Sequence, residues 1–415
     1  MTSERPLRAY AAVTAAYWAF MLSDGALRML VLLHFHTLGF TPVQIAWLFL
    51  LYEVAGIVTN LAAGWLAARF GLAATLYGGL TLQIGALLAL ANLDPGWNIA
   101  ASVTFVMAVQ GVSGVAKDLA KMSSKSAVKL LAPQEDGGLF RWVAALTGSK
   151  NAVKGLGFFL GALLLGLFGF SAAVLGMAAV LAVILAAVVL FLPAGLPGRM
   201  KSADTWGGWR SRDMRVNRLS LARMFLFGAR DVWFVVGIPV YFQTVLSDGS
   251  DEGRRAAFFL VGGFMALWII AYGAVQAVAP RLIRARGRSE AEIARIAIFW
   301  AGLLVPIPLF LAVAAGLAGA PGPWLTATLV VGLLVFGFVF AVNSSVHSYL
   351  ILAFGEAGRI TRDVGFYYMA NAAGRLIGTL LSGLSFQFGG LALCLATAGI
   401  MAGASWLAAR RLDPG

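Results

Sequence analysis

The sequence predicts an all-α membrane protein, a bundle of twelve transmembrane helices in two six-helix halves. Three observations predict it. The 415 residues are 60% hydrophobic, with a mean hydropathy of +0.85, whereas soluble domains are about 45–50% apolar. Apolar runs long enough to cross a bilayer, which takes about 20 residues, recur from one end to the other. The chain also repeats itself weakly at an offset of six such runs. SSKSAVKLL from Ser123 resembles SSVHSYLIL from Ser344, and NAVKGLG from Asn151 resembles NAAGRLIG from Asn371 with one residue inserted. GALR from Gly25 loosely echoes GARD from Gly228. A parallel two-half repeat gives this offset, and its substrate site lies between the halves near the midplane.

The expected span cores are 10–36, 42–67, 73–93, 99–120, 139–168, 172–192, 219–246, 257–279, 293–317, 325–348, 365–387 and 391–409. Residues 1–192 form the expected N-terminal half and residues 219–415 the C-terminal half. Between them, 193–218 holds Gly, Pro, Trp and several basic residues and reads as a cytoplasmic linker. Basic residues fall in alternate loops: Arg5 and Arg8, Arg69, Lys125 and Lys129, the linker, Arg281 to Arg288, Arg359 and Arg362, and Arg410 and Arg411. The opposite loops are short or, in SDGSDEGRR, offset their arginines with three acids. The positive-inside rule therefore puts both termini in the cytoplasm. Arg5, Pro6 and Arg8 lead straight into a full-length span, which is not the pattern of a cleavable signal peptide. The single Cys394 excludes a disulfide framework. The net charge of +13 is spread over loops and spans, not over one soluble face, which argues against nucleic-acid binding.

Charges inside the spans carry the functional reading. A charge near the bilayer centre costs about 3 kcal/mol on insertion scales. Nevertheless the fifth span holds Lys150, Asn151 and Lys154, the two lysines one turn apart on one face. The first span holds Asp24 and Arg28, the second Glu53 and Asn60. The seventh holds Arg223 near its inner end, then Arg230 and Asp231; the eleventh holds Asn371 and Arg375. Deep in the spans, Arg28, Lys150, Lys154, Arg230 and Arg375 outnumber Asp24, Glu53 and Asp231. Unpaired cations in a low dielectric are costly, so such a cavity favours an anion with several charges. Arginine offers it a planar fork and lysine a point charge.

The alternative is pairing between protein groups: Arg28 with Asp24, one turn apart, and Arg230 with Asp231. Lys150, Lys154 and Arg375 have no acid one turn away. Glu53 has no cation one turn away either, and is read as a proton-coupling carboxylate or as a partner of Arg28 or Lys154; Asp24 is the second coupling candidate. The fourth span ends in a ladder, Lys117, Lys121, Lys125 and Lys129. Its outer two are cytoplasmic loop charges, and its inner two are left open between cavity and loop. His34, His36 and His347 read as hydrogen-bonded interface residues in preference to proton relays. Gly148, Gly157, Gly161, Gly374, Gly378 and Gly383 allow close helix approach, and Pro239, Pro306 and Pro308 kink their helices. Trp268, Tyr272, Tyr367 and Tyr368 are candidates to line a cavity. Three histidines and one cysteine, with no H-E-x-x-H spacing, leave no nucleophile or metal cluster. The expectation is a transporter, not an enzyme, with no cofactor.

The GWLAARFG turn between spans two and three resembles the G-x-L-x-D-R-x-G loop of the major facilitator superfamily, with Ala68 where that loop has an acid. The glycine spacing Gly148, Gly157, Gly161 is similar to that superfamily's span-five antiporter signature, with Ala162 in place of its proline. Longer strings resemble the ArsJ family of organoarsenical efflux permeases: YWAFMLSDGALRMLVLLHFHTLG, AKDLAKMSSKSAVKLL, LTGSKNAVKGLGFFLG, ARMFLFGARDVWFVVGIPVY, FAVNSSVHSYLI and DVGFYYMANAAGRLIGTLLSG. The resemblance implies a major facilitator-type bundle in the bacterial inner membrane. It also implies export of 1-arseno-3-phosphoglycerate, an ester supplied by a glyceraldehyde-3-phosphate dehydrogenase using arsenate, with no direct contact between the two proteins. Outside, the ester falls apart to arsenate and 3-phosphoglycerate, which gives arsenate resistance. The residues alone ask for a multiply charged anion in a lipid-embedded protein. An exchanger or exporter of another organophosphate or anionic drug meets the same demand.

Overall fold

Local signals start several helices where the sequence changes character. Gly39, at φ +82°, makes the turn after the first helix. Thr41 then caps the second in a capping box with Gln44, with Pro42 in the first turn. Ser289 forms a second capping box with Glu292, and Asp213 and Ser250 cap later helices by accepting from Arg215 N and Gly253 N.

The computed structural model describes residues 4–131, 138–192, 211, 213–283, 288–354 and 360–412, without the side chains of 4–8, 63–65, 67, 68, 125, 126, 128–131, 138–148 and 360–362. Most of the expected linker, 193–210 and 212, lies outside the described residues, as do the side chains of Lys125, Lys129 and Gly148. The described chain is helical almost throughout. Its α-helices are α1 (Glu4–Thr37), α2 (Pro42–Leu48), α3 (Leu50–Ala91), α4 (Ile99–Leu131), α5 (Gly138–Phe191), α6 (Met214–Val232), α7 (Ile238–Leu246), α8 (Asp251–Leu282), α9 (Glu290–Leu304), α10 (Pro306–Leu317), α11 (Pro323–Phe354) and α12 (Ile360–Ala409).

Among the described residues, ten helical segments are long and apolar enough to cross a membrane. Two of them, Ser149–Phe191 and Asp363–Leu412, have 43 and 50 residues. At about 1.5 Å per residue each is about twice as long as the ~30 Å hydrocarbon core. Each is broken near its middle, at Gly169 (φ 76°) and at Gly389–Gly390 (φ 61° at Gly390), and α3 is broken likewise at Gly71 (φ 76°). These breaks stand where loops are expected, so short glycine turns replace loops between successive segments. The expected span 293–317 is two helices, because Pro306 has no N–H with which to continue α9. The expected kink at Pro239 follows a π-helical stretch, Trp233–Gly237, whose Val236 and Gly237 amides donate to Ser382 Oγ, both at 3.1 Å.

Two close pairings set the interior. α1 packs on α5 and α6 packs on α12. A Cβ on Gly157 would lie 3.1 Å from Gly25 Cα and from Ala26 N. One on Gly378 would lie 2.7 Å from Gly228 O and 2.8 Å from Asp231 Cβ. The backbones touch, as small residues allow in membranes. α5 also packs on α8, and α3 on α4 and α12. An aromatic cluster, Trp233, Trp268, Phe336 and Phe340, is fully buried, with Trp268 Nε1 donating to Leu333 O at 2.8 Å.

Candidate functional site

The helices surround a cavity of about 270 Å³. Its wall comes from α1, α3, α4 and α5 on one side and from α6, α8, α11 and α12 on the other. Eight of the nine residues singled out from sequence line it: Arg28, Glu53, Lys150, Lys154, Arg230, Asp231, Asn371 and Arg375. Asp24 stands behind Lys154.

The close helix pairings place an acid and a base together on each side. Lys154 Nζ lies 2.7 Å from Asp24 Oδ2, and Tyr52 donates to Asp24 Oδ1 at 2.6 Å. Arg375 Nε lies 3.3 Å from Asp231 Oδ2, while Arg230 binds Asp231 Oδ1 at 2.5 Å. Glu53, 1% exposed, links the two sides: its Oε1 receives Arg28 Nη1 at 3.1 Å and Arg375 Nη2 at 2.6 Å.

These pairings correct several expectations. Arg28 pairs with Glu53, not with Asp24, because Asp24 is already taken by Tyr52 and Lys154. Lys154 and Arg375 do have acids, supplied by neighbouring helices instead of by their own. Glu53 is a partner of Arg28, as its pairing alternative has it, and of Arg375 as well. Arg230 meets Asp231, as the pairing alternative has it. Trp268, Tyr272 and Tyr368 reach the cavity wall, whereas Tyr367 is fully buried behind it. Of the lysine ladder, Lys117 and Lys121 are on the wall. Lys117 Nζ sits 4.0 Å from the Tyr52 ring centroid, and Lys121 binds Asn60 Oδ1 at 2.9 Å and Asp118 Oδ1 at 3.4 Å. Asp118 also accepts from the Thr59 hydroxyl.

Arg223, Ser344 and Gln276 are not among the site candidates read from sequence. Arg223 donates from Nε to Asn371 Oδ1 at 3.1 Å and from Nη1 to Ser344 O and Oγ at 2.9 and 3.0 Å. Gln276 Nε2 donates to the same Ser344 Oγ at 3.2 Å, and Asn151 donates to Gln276 Oε1 at 3.0 Å. One signal could have found Arg223: it lies two turns before Arg230 on one helix face. Among the described residues, then, the wall holds eight cations against Glu53, Asp118 and Asp231, with Asp24 as a fourth acid behind it.

The lining stops short of the bundle end that carries residues 36–46. There Val43 N donates to Gln387 Oε1 at 3.2 Å, and a Cβ on Gly383 would meet Pro42 O at 2.7 Å. Thr244 Oγ1 lies 3.5 Å from His36 Nε2. These contacts tie α1 and α2 to α7 and α12.

A family profile described as Major Facilitator Superfamily matches residues 13–379. The chain belongs to the major facilitator superfamily. Solved structures of similar shape agree on the fold. A proton-dependent oligopeptide transporter superposes with a TM-score of 0.71 at 15% identity, covering 98% of this chain and 99% of its own. A POT family transporter in complex with 5-aminolevulinic acid gives 0.73 at 16%, covering 98% and 96%. The nucleoside transporter NupG gives 0.70 at 16%, covering 97% and 98%. A search of curated proteins by sequence gave no match. This superfamily member is accordingly a multi-pass membrane transporter, and the cavity is where its cargo is to be sought.

Proposed function

We propose that this transporter exports a multiply charged organic anion by alternating access, and that the anion is 1-arseno-3-phosphoglycerate, so that export confers arsenate resistance. The anion class rests on one observation: eight cations face four acids around a cavity inside the bundle. Such an excess in a low dielectric is tolerable if a guest completes the charge balance. The choice of ester rests on the resemblance of six long segments to the ArsJ permeases, and its two oxyanion ends suit the excess.

In this reading the breaks at Gly169 and Gly389–Gly390 each divide one long segment into two crossings. The ten segments then make twelve crossings, six before the linker and six after it. Both termini lie in the cytoplasm of a bacterial cell, and the cavity faces the cytoplasm while the end near residues 36–46 is shut. A substrate oxyanion takes the place of the Glu53 carboxylate at Arg28 and Arg375, and a carboxylate, Glu53 or Asp24, releases to the cytoplasm a proton loaded outside, so that the exchange is an antiport. Lys150, Lys154, Arg230 and Asn371 hold the remainder of the ester. With repulsion across the cavity relieved, the two halves rock together, and after release outside the carboxylate loads its proton there for the return.

Lys154→Gln and Arg375→Gln, each checked for membrane level, test this. Loss of arsenate resistance and of ester export in everted vesicles is expected for both; survival of both activities in both variants contradicts the assignment. A second reading is an exchanger or exporter of another organophosphate or anionic drug, since the excess charge does not distinguish arsenic from phosphorus. Vesicle uptake of glycerol phosphate and phosphoglycerate separates the two.

A further inference from the structure

Arg28, Arg230 and Arg375 each meet a carboxylate, but Arg223 does not. It is 5% exposed, and its partners are an amide oxygen, a hydroxyl and a backbone carbonyl. A buried guanidinium held only by neutral acceptors lacks a counter-ion. Its surroundings are polar groups, not acids: the hydroxyl of Ser344, the amides of Asn371 and Gln276, and the Tyr272 hydroxyl, 3.4 Å from Ser344 Oγ. Acceptor-rich tetrahedral oxyanions are bound by such sets, one fork plus neutral donors.

A second relation separates this place from the acid-matched cluster. Arg223 and Arg230 lie on one face of α6, seven residues and about 10 Å of helix rise apart. The Phe227 ring stands between them, its centroid 4.1 Å from Arg223 Cζ and 4.8 Å from Arg230 Cζ. The cavity thus has two cationic poles divided by an aromatic ring. At one pole, carboxylates already occupy the arginines and must be displaced; at the other, the charge is uncompensated.

We propose that Arg223, with Asn371, Ser344 and Gln276, forms a second oxyanion subsite that takes the phosphate end of a two-ended anion. This rests on reading the cavity as an anion path. It adds that a lone phosphate enters at Arg223 and not at Arg28 and Arg375.

The test is binding of inorganic phosphate and of 3-phosphoglycerate to the full-length protein in detergent, by calorimetry, for wild type, Arg223→Gln, Arg223→Lys and Arg375→Gln. Loss of the fork and its charge-assisted bonds is expected to weaken phosphate at least about tenfold in Arg223→Gln. Arg223→Lys, which keeps the charge and protects the fold, is expected to weaken phosphate several-fold. Arg375→Gln should weaken 3-phosphoglycerate more than it weakens phosphate. Unchanged phosphate affinity in both Arg223 variants, or its loss in Arg375→Gln alone, overturns the subsite but leaves the anion reading standing. If the wild type binds neither probe, the anion reading falls and the subsite with it.

Discussion

Arg375 Nη2 donates to Glu53 Oε1 at 2.6 Å, an ion pair between residues 322 positions apart that joins α12 to α3 across the cavity. Glu53 also holds Arg28, so one carboxylate compensates two guanidiniums. Glu53→Gln removes that compensation and leaves Arg375 only Asp231. The variant is expected to melt below the wild type without anion and to gain more than the wild type when 3-phosphoglycerate is added. Its export should lose its dependence on a pH gradient. Melting curves with and without the anion check the first part; equal anion-induced shifts in both proteins contradict it.

Asp24–Lys154 and Asp231–Arg375 are pairs of one kind: in each, an acid on one helix meets a cation on the helix packed against it by glycine contact. Breaking a buried pair costs about 3–5 kcal/mol. Lys154 is 18% exposed on its side chain, so the lower end applies. Asp24→Asn is expected to destabilise more than the double variant Asp24→Asn with Lys154→Gln, with a coupling of about 0.5–3 kcal/mol. A double-mutant cycle in thermal unfolding measures it, and additive effects contradict the pairing.

How far these relations were legible in the sequence depends on their range. The spans showed themselves because bilayer thickness fixes the length of an apolar run. The similarity around Asn151 and Asn371 drew attention to Lys154 and Arg375, and each of these meets an acid on the helix packed against its own. Most partners on other helices did not show themselves. The one-turn rule sees only a residue's own helix, so it joins Asp24 to Arg28 and leaves Lys154 and Arg375 without partners; for Glu53 the sequence offers Arg28 or Lys154, and Arg28 is one of the two cations it holds. Asp24 is short and is satisfied by Tyr52 and Lys154, which frees Arg28 for Glu53. Arg223 sits near a span end, where arginine usually marks the interface, so its position in the sequence does not point to a cavity. The glycine breaks at Gly71, Gly169 and Gly390 stood where loops were expected, but nothing in composition says that a single residue suffices for the turn.

The glycine contacts hold the charged pairs in place. Gly378→Ala puts a methyl against Gly228 O and Asp231 Cβ and forces α12 away from α6, which carries Arg375 away from Asp231. It is expected to lower the melting temperature and to cut transport by an order of magnitude or more. Gly176→Ala is the control: nothing lies within 4 Å of its Cβ position, so it should behave as wild type. Melting and vesicle transport of the two variants, side by side, check this.

Counterflow in proteoliposomes tests the central claim most directly. The vesicles are loaded with a glyceraldehyde-3-phosphate dehydrogenase, its substrates and arsenate, and they are run with and without a pH gradient. The account predicts that the arseno-ester leaves the vesicles only when the transporter is present. It also predicts faster exit with the gradient and competition from 3-phosphoglycerate but not from a neutral nucleoside. Transport of the nucleoside with no movement of either anion would contradict it.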